Sequence, residues 1–319
     1  MPPELSVLIP SKNGSETLPL LLSALKSQLA PDDELVVVDD GSTDGTGRIA
    51  AAMGARVVAH ESSRGVAATR NRLAKESSRG VLVFLDDDVI PYPSYLDEVR
   101  RIFSDETVQV CQGIHSSAPA DARPDSWQIC EAASWHFYMT EQIVESGSCY
   151  SLTSQAFCIR RELFETLGGF DESYKEAGGE EFALTLRILE SSAIRYTPEL
   201  VTFHHFQSLF PRMKTLFRRS RHYASIYSRM PPLIRRIHRV EFLHCLLFSL
   251  TVLSVLAKAF VGVAGGWLWA CAGLWLASDW RYWRHVLSLR PGHALHLFFQ
   301  RAGQYAAICT GAGVRMVSR

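Results

Sequence analysis

This 319-residue chain has no paired cysteine motif and no net charge. Its seven cysteines stand at 111, 130, 149, 158, 245, 271 and 309, with no C-x-x-C and no Cys/His ligand spacing. That excludes a zinc-ribbon or dithiol class and fits scattered thiols in a reducing compartment. Lys+Arg and Asp+Glu number 33 each, so bulk charge points to no polyanionic partner. The start, Met1-Pro-Pro-Glu4, lacks a basic n-region and an apolar h-region, so no signal peptide is expected and the protein is expected to start in the cytoplasm. Two further absences are local. Nine Lys or Arg and no acid lie between Arg212 and Arg239, and the 37 residues from Phe242 to Ser278 carry Lys258 as their only charge. Few aromatics interleave the basic stretch, so nucleic acid is not the expected partner; an anionic bilayer or lipid phosphate is.

What is present is acid placed after strands. Val81–Leu85 is a short apolar run of the kind buried on both faces of a sheet, and Asp86, Asp87 and Asp88 follow it directly. Three adjacent carboxylates without a sequence-local Lys or Arg call for an external cation. The alternative is a solvated turn with an Asp cap. Upstream, Leu5–Ile9 and Glu34–Val38 read as strands, Leu18 to Leu29 as a helix with apolar spacings of three and four, and Arg56–Ala59 as a third strand. The second strand runs into Asp39-Asp-Gly-Ser-Thr-Asp-Gly45, and a helix opens at Arg64-Gly-Val-Ala-Ala-Thr-Arg-Asn71. Strand–helix alternation at this pitch means βαβ units and a parallel sheet.

The segments V-L-I-P-S-K-N, V-V-V-D-D-G-S-T-D-G-T, R-G-V-A-A-T-R-N and V-F-L-D-D-D-V-I-P occur in that order over roughly the first hundred residues. Together they resemble a family 2 glycosyltransferase of the GT-A fold, an α/β, Rossmann-like nucleotide-diphospho-sugar transferase. The resemblance implies that Asp39 accepts hydrogen bonds from the nucleobase, that Asp40 lies near base or ribose, and that Pro10, Ser11 and Asn13 close the base pocket. It places Arg70 near the diphosphate, the alternative being an ordinary surface arginine. Asp86 and Asp88 match the family's D-x-D, one side chain toward the ribose and one on Mg2+ or Mn2+, with Asp87 counted on the nucleotide-sugar side.

Further on, Trp127–Ile143 reads as a core-facing helix rather than a sugar platform. Leu167-Gly-Gly-Phe-Asp-Glu172 resembles the family's acceptor-side turn, although Ser154 and Gln155 stand where relatives often have Asn and Gly. Gly178-Gly-Glu-Glu181 delivers two carboxylates to the first turn of an apolar helix, where the dipole favours negative charge. Resemblance to the family's E-D makes Glu181 the expected general base and Glu180 its support. The strand ending at His204 and His205 is expected to bring one of them, His204 by spacing, to the metal; register leaves His205 open, and a structural histidine is the alternative. Arg218 and Arg221 resemble an R-x-x-R element that holds a diphosphate or an anionic acceptor.

The expected organisation is a catalytic domain over 1–210, with a nucleotide-sugar half to 110 and an acceptor half from 111. A basic juxtamembrane segment (211–241), a transmembrane or re-entrant hairpin (242–280, with Trp267, Trp269, Trp275 and Trp280 anchoring it) and an amphipathic tail (281–319) then follow. The expected protein is a membrane-anchored, metal-dependent inverting glycosyltransferase with its catalytic domain on the cytoplasmic face (the inner membrane in a bacterium). It moves sugar from a nucleotide-diphospho-sugar to a lipid-linked or envelope-glycan acceptor, with membrane lipids as a further partner. The alternatives are a polyprenyl-phosphate sugar synthase and an inactive membrane-bound assembly subunit.

Overall fold

A computed structural model describes residues 2–145, 147–153, 155–174, 179–226, 243–255 and 266–317, and within these ranges the side chains other than 218–226, 266–268 and 309–317. The chain divides into two units: residues 1–122 with 139–205, and residues 123–138 with 206–319.

The first unit is built on one mixed sheet. Its parallel part has β1 (Leu5–Ser11) between β2 (Glu34–Asp39) and β4 (Val81–Leu85), with β3 (Arg56–Ala59) outside β2. All seven residues of β1 and all five of β4 are buried, because both strands are central and helices cover both faces. Alternation sorts their side chains. Val7, Ile9, Val83 and Leu85 join one core with Leu18, Leu21, Leu22 and Leu25 of α1 (Leu18–Lys26). Leu8, Leu82 and Phe84 join the other, where Phe84 stacks on Phe157 at 4.9 Å. Each such side chain contributes about 1.5–3 kcal/mol by leaving water.

The remaining strands are β5 (Val89–Pro91), β6 (Val110–His115), β7 (Val144–Glu145), β8 (Ser148–Cys149), β9 (Ala156–Arg160) and β10 (Ile194–His204). The expected parallel sheet holds for β1 to β4 only. β9 enters between β4 and β6 antiparallel to both, and β10 then lies parallel to β6. A five-residue apolar strand reports its burial but not its direction. The helices of this unit also include α2 (Thr46–Ala52), α3 (Val66–Lys75), α4 (Tyr95–Phe103), α6 (Arg161–Thr166) and α7 (Glu180–Ser191).

The second unit is helical: α5 (Ser126–Phe137), α8 (Leu209–Ile226), α9 (243–255), α10 (Gly266–Ser278), α11 (Trp280–Leu289) and α12 (Ala294–Val317). Residues 123–138, expected in the acceptor half, therefore cluster with the C-terminal helices. Cys130, Ala133 and Phe137 of α5 pack with Tyr282, Trp283, Val286 and Leu297. The core-facing helix expected there is present, and it starts in a capping box in which Asp125 accepts from Gln128 N at 2.8 Å.

The expected membrane hairpin finds no support among the described residues. Among the described residues no helix is long and apolar enough to cross a membrane. The 13 residues of α10 rise about 20 Å, against about 30 Å of hydrocarbon. Residues 256–265, where the hairpin would bend, lie outside the described residues, as does the Trp267 side chain. Trp275, expected as an interfacial anchor, is 2 % exposed and packs with Cys245 and Tyr305. In the expected amphipathic tail, α12 turns charge inward. Arg301 pairs with buried Asp279 at 2.8 Å and lies 4.2 Å over the Tyr282 ring, while Tyr305 donates to the same aspartate. Apolar composition is shared by a membrane span and a helical core, and a satisfied buried ion pair of this kind marks the core.

Candidate active site

Parallel pairing puts the C-terminal ends of β1, β2 and β4 on one edge of the sheet, the place where open α/β sheets bind ligands. Ser11 ends β1 opposite Asp39, and its hydroxyl donates to Asp87 Oδ2. The two acidic strand ends are thus stitched through β1. Pro10 is the penultimate residue of β1, and Asn13 sits at φ 55°, its N–H on Ser42 Oγ (2.9 Å) and its Oδ1 accepting from Thr43 N (2.9 Å). A side chain at Gly14 would bring a Cβ to 2.2 Å from Asp87 Oδ2, so glycine lets the loop close on that carboxylate.

Asp39 and Asp40 are adjacent and do different work. Asp39 Oδ1 accepts from Ser42 N at 2.8 Å. Asp40 is the clamp of the loop before α3: it meets His60 Nδ1 (2.8 Å), Ser63 Oγ (2.6 Å), Arg64 N (2.8 Å) and Gly65 N (3.2 Å). Burial pushes its pKa up, yet these donors outweigh it and hold the carboxyl at about 2. A depressed folded pKa adds stability above the unfolded value near 3.8 and loses it as pH falls through about 2. Asp40→Asn is expected to cost about 1–3 kcal/mol at neutral pH and to flatten the loss of stability between those two pH values. Acid-titration calorimetry giving parallel curves for the variant and the parent would contradict this.

Arg70 occupies the middle of the site. Expected beside the diphosphate, it is 2 % exposed and its terminal nitrogens are committed inside the protein: Nη2 to Asp86 Oδ1 at 2.6 Å and Nη1 to Glu180 Oε1 at 3.3 Å. It is a strut between the end of β4 and the start of α7, with its guanidinium carbon 5.4 Å over the Phe170 ring. Burial works against its charge, but Asp86, Glu180 and Glu181 together raise its pKa above the ordinary value. Glu180, 1 % exposed, also accepts from Gly179 N. Glu181 follows in the same first turn, half-buried, which leaves it as the carboxylate of the pair with access to solvent.

Asp88 and the two histidines complete the group. His204 Nε2 lies 3.5 Å from Asp88 Oδ1, whereas His205 turns its Nδ1 to Asp121 at 3.1 Å. Of the two candidates, His204 faces the acidic triplet. Behind it stand two residues that the sequence reading did not include in the site. Gln155 Nε2 reaches His204 Nε2 (2.9 Å), Gln155 Oε1 reaches His115 Nε2 (3.1 Å), and His115 Nδ1 meets Thr202 Oγ1 (2.7 Å). Burial, then the neighbouring His204, pushes the His115 pKa down to about 3, so this ring is neutral. No sequence signal marks either residue; Gln155 had stood out only as a departure from the family's Asn and Gly. Arg218 and Arg221 lie on α8, and their side chains are outside the described residues.

The site suits a divalent cation. Burial pushes Asp87 up to about 7 despite the Ser11 bond, with Asp88 and Asp86 adding to the rise; burial and then Asp86 push Asp88 to about 7 as well. Asp88 Oδ1 is buried and accepts no hydrogen bond. Among the described residues no group of three or more His, Cys, Asp or Glu side chains is placed to hold a metal ion. An incomplete set is what Mg2+ or Mn2+ uses when substrate phosphates supply the other ligands. Asp88 and His204 fit that partial set, with Asp86 beside them and one oxygen on Arg70.

Residues 6–168 match the family model described as glycosyl transferase family 2, 163 of the 319 residues. A pre-mycofactocin glycosyltransferase of Mycobacterium tuberculosis is 28 % identical over 206 residues, which are 63 % of this chain and 42 % of that protein. An O-antigen chain rhamnosyltransferase of Salmonella typhimurium is 27 % identical over 216 residues, 63 % of this chain and 66 % of its own length. The chain thus spans about two-fifths of the first relative and about two-thirds of the second. Among solved structures, a mannosyltransferase from Pyrobaculum calidifontis in complex with GDP-Man and Mn2+ aligns with a TM-score of 0.59. That likeness covers 100 % of this chain and 88 % of the other at 19 % identity, and is one of fold.

Proposed function

The chain belongs to glycosyl transferase family 2, and from that premise we propose that it is a metal-dependent, inverting glycosyltransferase using a nucleotide-diphospho-sugar. One observation carries the reading: Arg70 joins Asp86 at the end of β4 to Glu180 at the start of α7, and feels the charges of Asp88 and Glu181 as well. Donor-side and acceptor-side carboxylates therefore share one cluster.

The residues then divide the work. Asp39, with the Ser11–Asn13 loop, lines the nucleobase end. Asp88 and His204, with Asp86 adjacent, would hold Mg2+ or Mn2+, which would supply charge neutralisation for a departing diphosphate. Glu181, at the positive end of α7, takes the proton of an acceptor hydroxyl as that oxygen attacks the anomeric carbon. Glu180 and Arg70 keep α7 in register with the strand ends. A single displacement inverts the anomeric configuration.

The acceptor is a hydroxyl of a lipid-linked or envelope glycan, met at the cytoplasmic face of a membrane. All but two of the large exposed apolar side chains among the described residues belong to the second unit, including Phe210, Trp269, Trp280 and Phe299. Such a surface, with exposed Arg281 and Arg284 on α11, suits shallow contact with an anionic bilayer without crossing it.

The test is nucleoside diphosphate release from a panel of UDP-, GDP- and dTDP-sugars. Chelation should reduce turnover by about a hundredfold or more, and added Mn2+ or Mg2+ should restore it. Turnover unaffected by chelation would remove the metal from the reading.

A further inference from the structure

We propose that His60 reads the nucleobase of the donor: its ring Nδ1 is spent on Asp40, and its Nε2 accepts a hydrogen bond from an N–H on the edge of the base. The inference deepens the nucleotide-diphospho-sugar reading above and rests on it. The family resemblance puts Asp40 near base or ribose, yet that carboxylate has nothing left to offer a ligand. An ionised carboxylate has about four lone-pair positions, and protein donors take them all. His60 Nδ1 (2.8 Å) and Arg64 N (2.8 Å) lie on Oδ1, and Ser63 Oγ (2.6 Å) and Gly65 N (3.2 Å) on Oδ2. Asp40 therefore reaches a ligand only through what it holds. Of its donors, the His60 ring is the one that carries a second hydrogen-bonding atom on a rigid frame.

The ring has one arrangement open to it. A carboxylate kept ionised only accepts, so Nδ1 carries the proton, and in the neutral ring Nε2 presents a lone pair. The His60 side chain is 12 % exposed, and among the described residues Nε2 is neither buried nor bonded, so it opens to solvent. It does so on the edge where a base would lie. Asp40 N donates to Ser11 O (2.8 Å) and His60 N to Asp39 O (2.8 Å), which sets the ends of β1, β2 and β3 side by side. Neighbouring strands stand about 4.8 Å apart, so His60 follows directly on the Ser11 and Asp39 end of the site, at the carboxyl edge of the parallel sheet. Gly41 lets the loop after β3 settle there. It sits at φ 73°, and a Cβ on it would come to 2.9 Å from Ser63 N.

The test is calorimetric titration of the full chain, at mildly alkaline pH with Mn2+ present, against UDP, GDP, CDP, ADP and dTDP. The parent should prefer one of them. His60→Asn keeps an amide N–H where Nδ1 was and leaves nothing where Nε2 was. It should melt as the parent does, yet bind the preferred nucleotide about 3–10-fold more weakly, with a smaller loss for the others. His60→Gln does the reverse: an amide oxygen stands near the place of Nε2, and the Asp40 bond is lost. It should melt lower and keep most of the preference. If the parent binds none of the five, the donor reading and the His60 role fall together. If the parent is selective and His60→Asn binds all five as the parent does, only the His60 role falls. Equal affinity of the parent for all five, or an equal loss for all five in His60→Asn, would put the contact on ribose or phosphate and overturn base reading. Preference lost in His60→Gln but kept in His60→Asn would make His60 a support for Asp40 alone.

Discussion

Glu181→Gln is expected to lower glycosyl transfer by about 10²–10⁴-fold, the range removed with a positioned general base. The substitution keeps length and hydrogen-bonding shape while deleting the only proton-accepting function assigned to α7. Glu180 cannot take over, because it is 1 % exposed and held by Arg70 and Gly179 N. With donor binding proposed for Asp39 and the acidic triplet, the variant should bind nucleotide sugar as the parent does, with the loss falling on kcat. Rates should be measured at saturating donor, with a hydroxyl acceptor and separately with polyprenyl phosphate. Near-parental transfer to the hydroxyl acceptor would end the base assignment. Full activity confined to the phosphate would identify an acceptor with little proton to remove, and a polyprenyl-phosphate sugar synthase.

Arg70→Met is expected to cost about 3–5 kcal/mol of stability, the usual consequence of removing one partner of a buried ionic group. In a domain of this size, that lowers the melting temperature by about 6–20 °C. Methionine fills much of the same space against Phe170, so packing loss is the smaller part. The larger part is Asp86 and Glu180, which would face each other with no cation between them. Combining Arg70→Met with Glu180→Gln should therefore recover part of the loss, a sign that packing alone does not predict. Thermal unfolding of the two variants decides it: equal or additive losses would mean that Arg70 is a space-filler.

Sequence pattern made the first hundred residues legible because each strand there is a short apolar run that ends in a distinctive polar step. Strand β3 is found over the residues expected, Arg56–Ala59. The strut was not legible. Arg70 and Glu180 are 110 positions apart, and an arginine in a helix reads as a surface residue until its burial is known. The histidines were legible as a pair but not individually, because neighbours on a strand point to opposite faces and only the strand's placement chooses between them. Thr202 and His204, two apart, share the face that meets His115 and Gln155. In the C-terminal third an apolar stretch with Lys258 as its only charge reads as lipid-facing, while among the described residues no helix is long and apolar enough to cross a membrane. The buried pair of Asp279 and Arg301 lies outside that stretch.

One feature of the chain's path bears on how the protein can be handled. Residues 123–138 belong with the C-terminal helices, although the residues before and after them belong with the sheet. A cut after His205, the obvious place to isolate a catalytic fragment, would keep α5 and discard Tyr282, Val286 and Leu297, against which Cys130, Ala133 and Phe137 pack. The fragment would carry an orphaned greasy helix in mid-sequence and would be prone to aggregate. Neither unit can be inherited, expressed or swapped by a single excision.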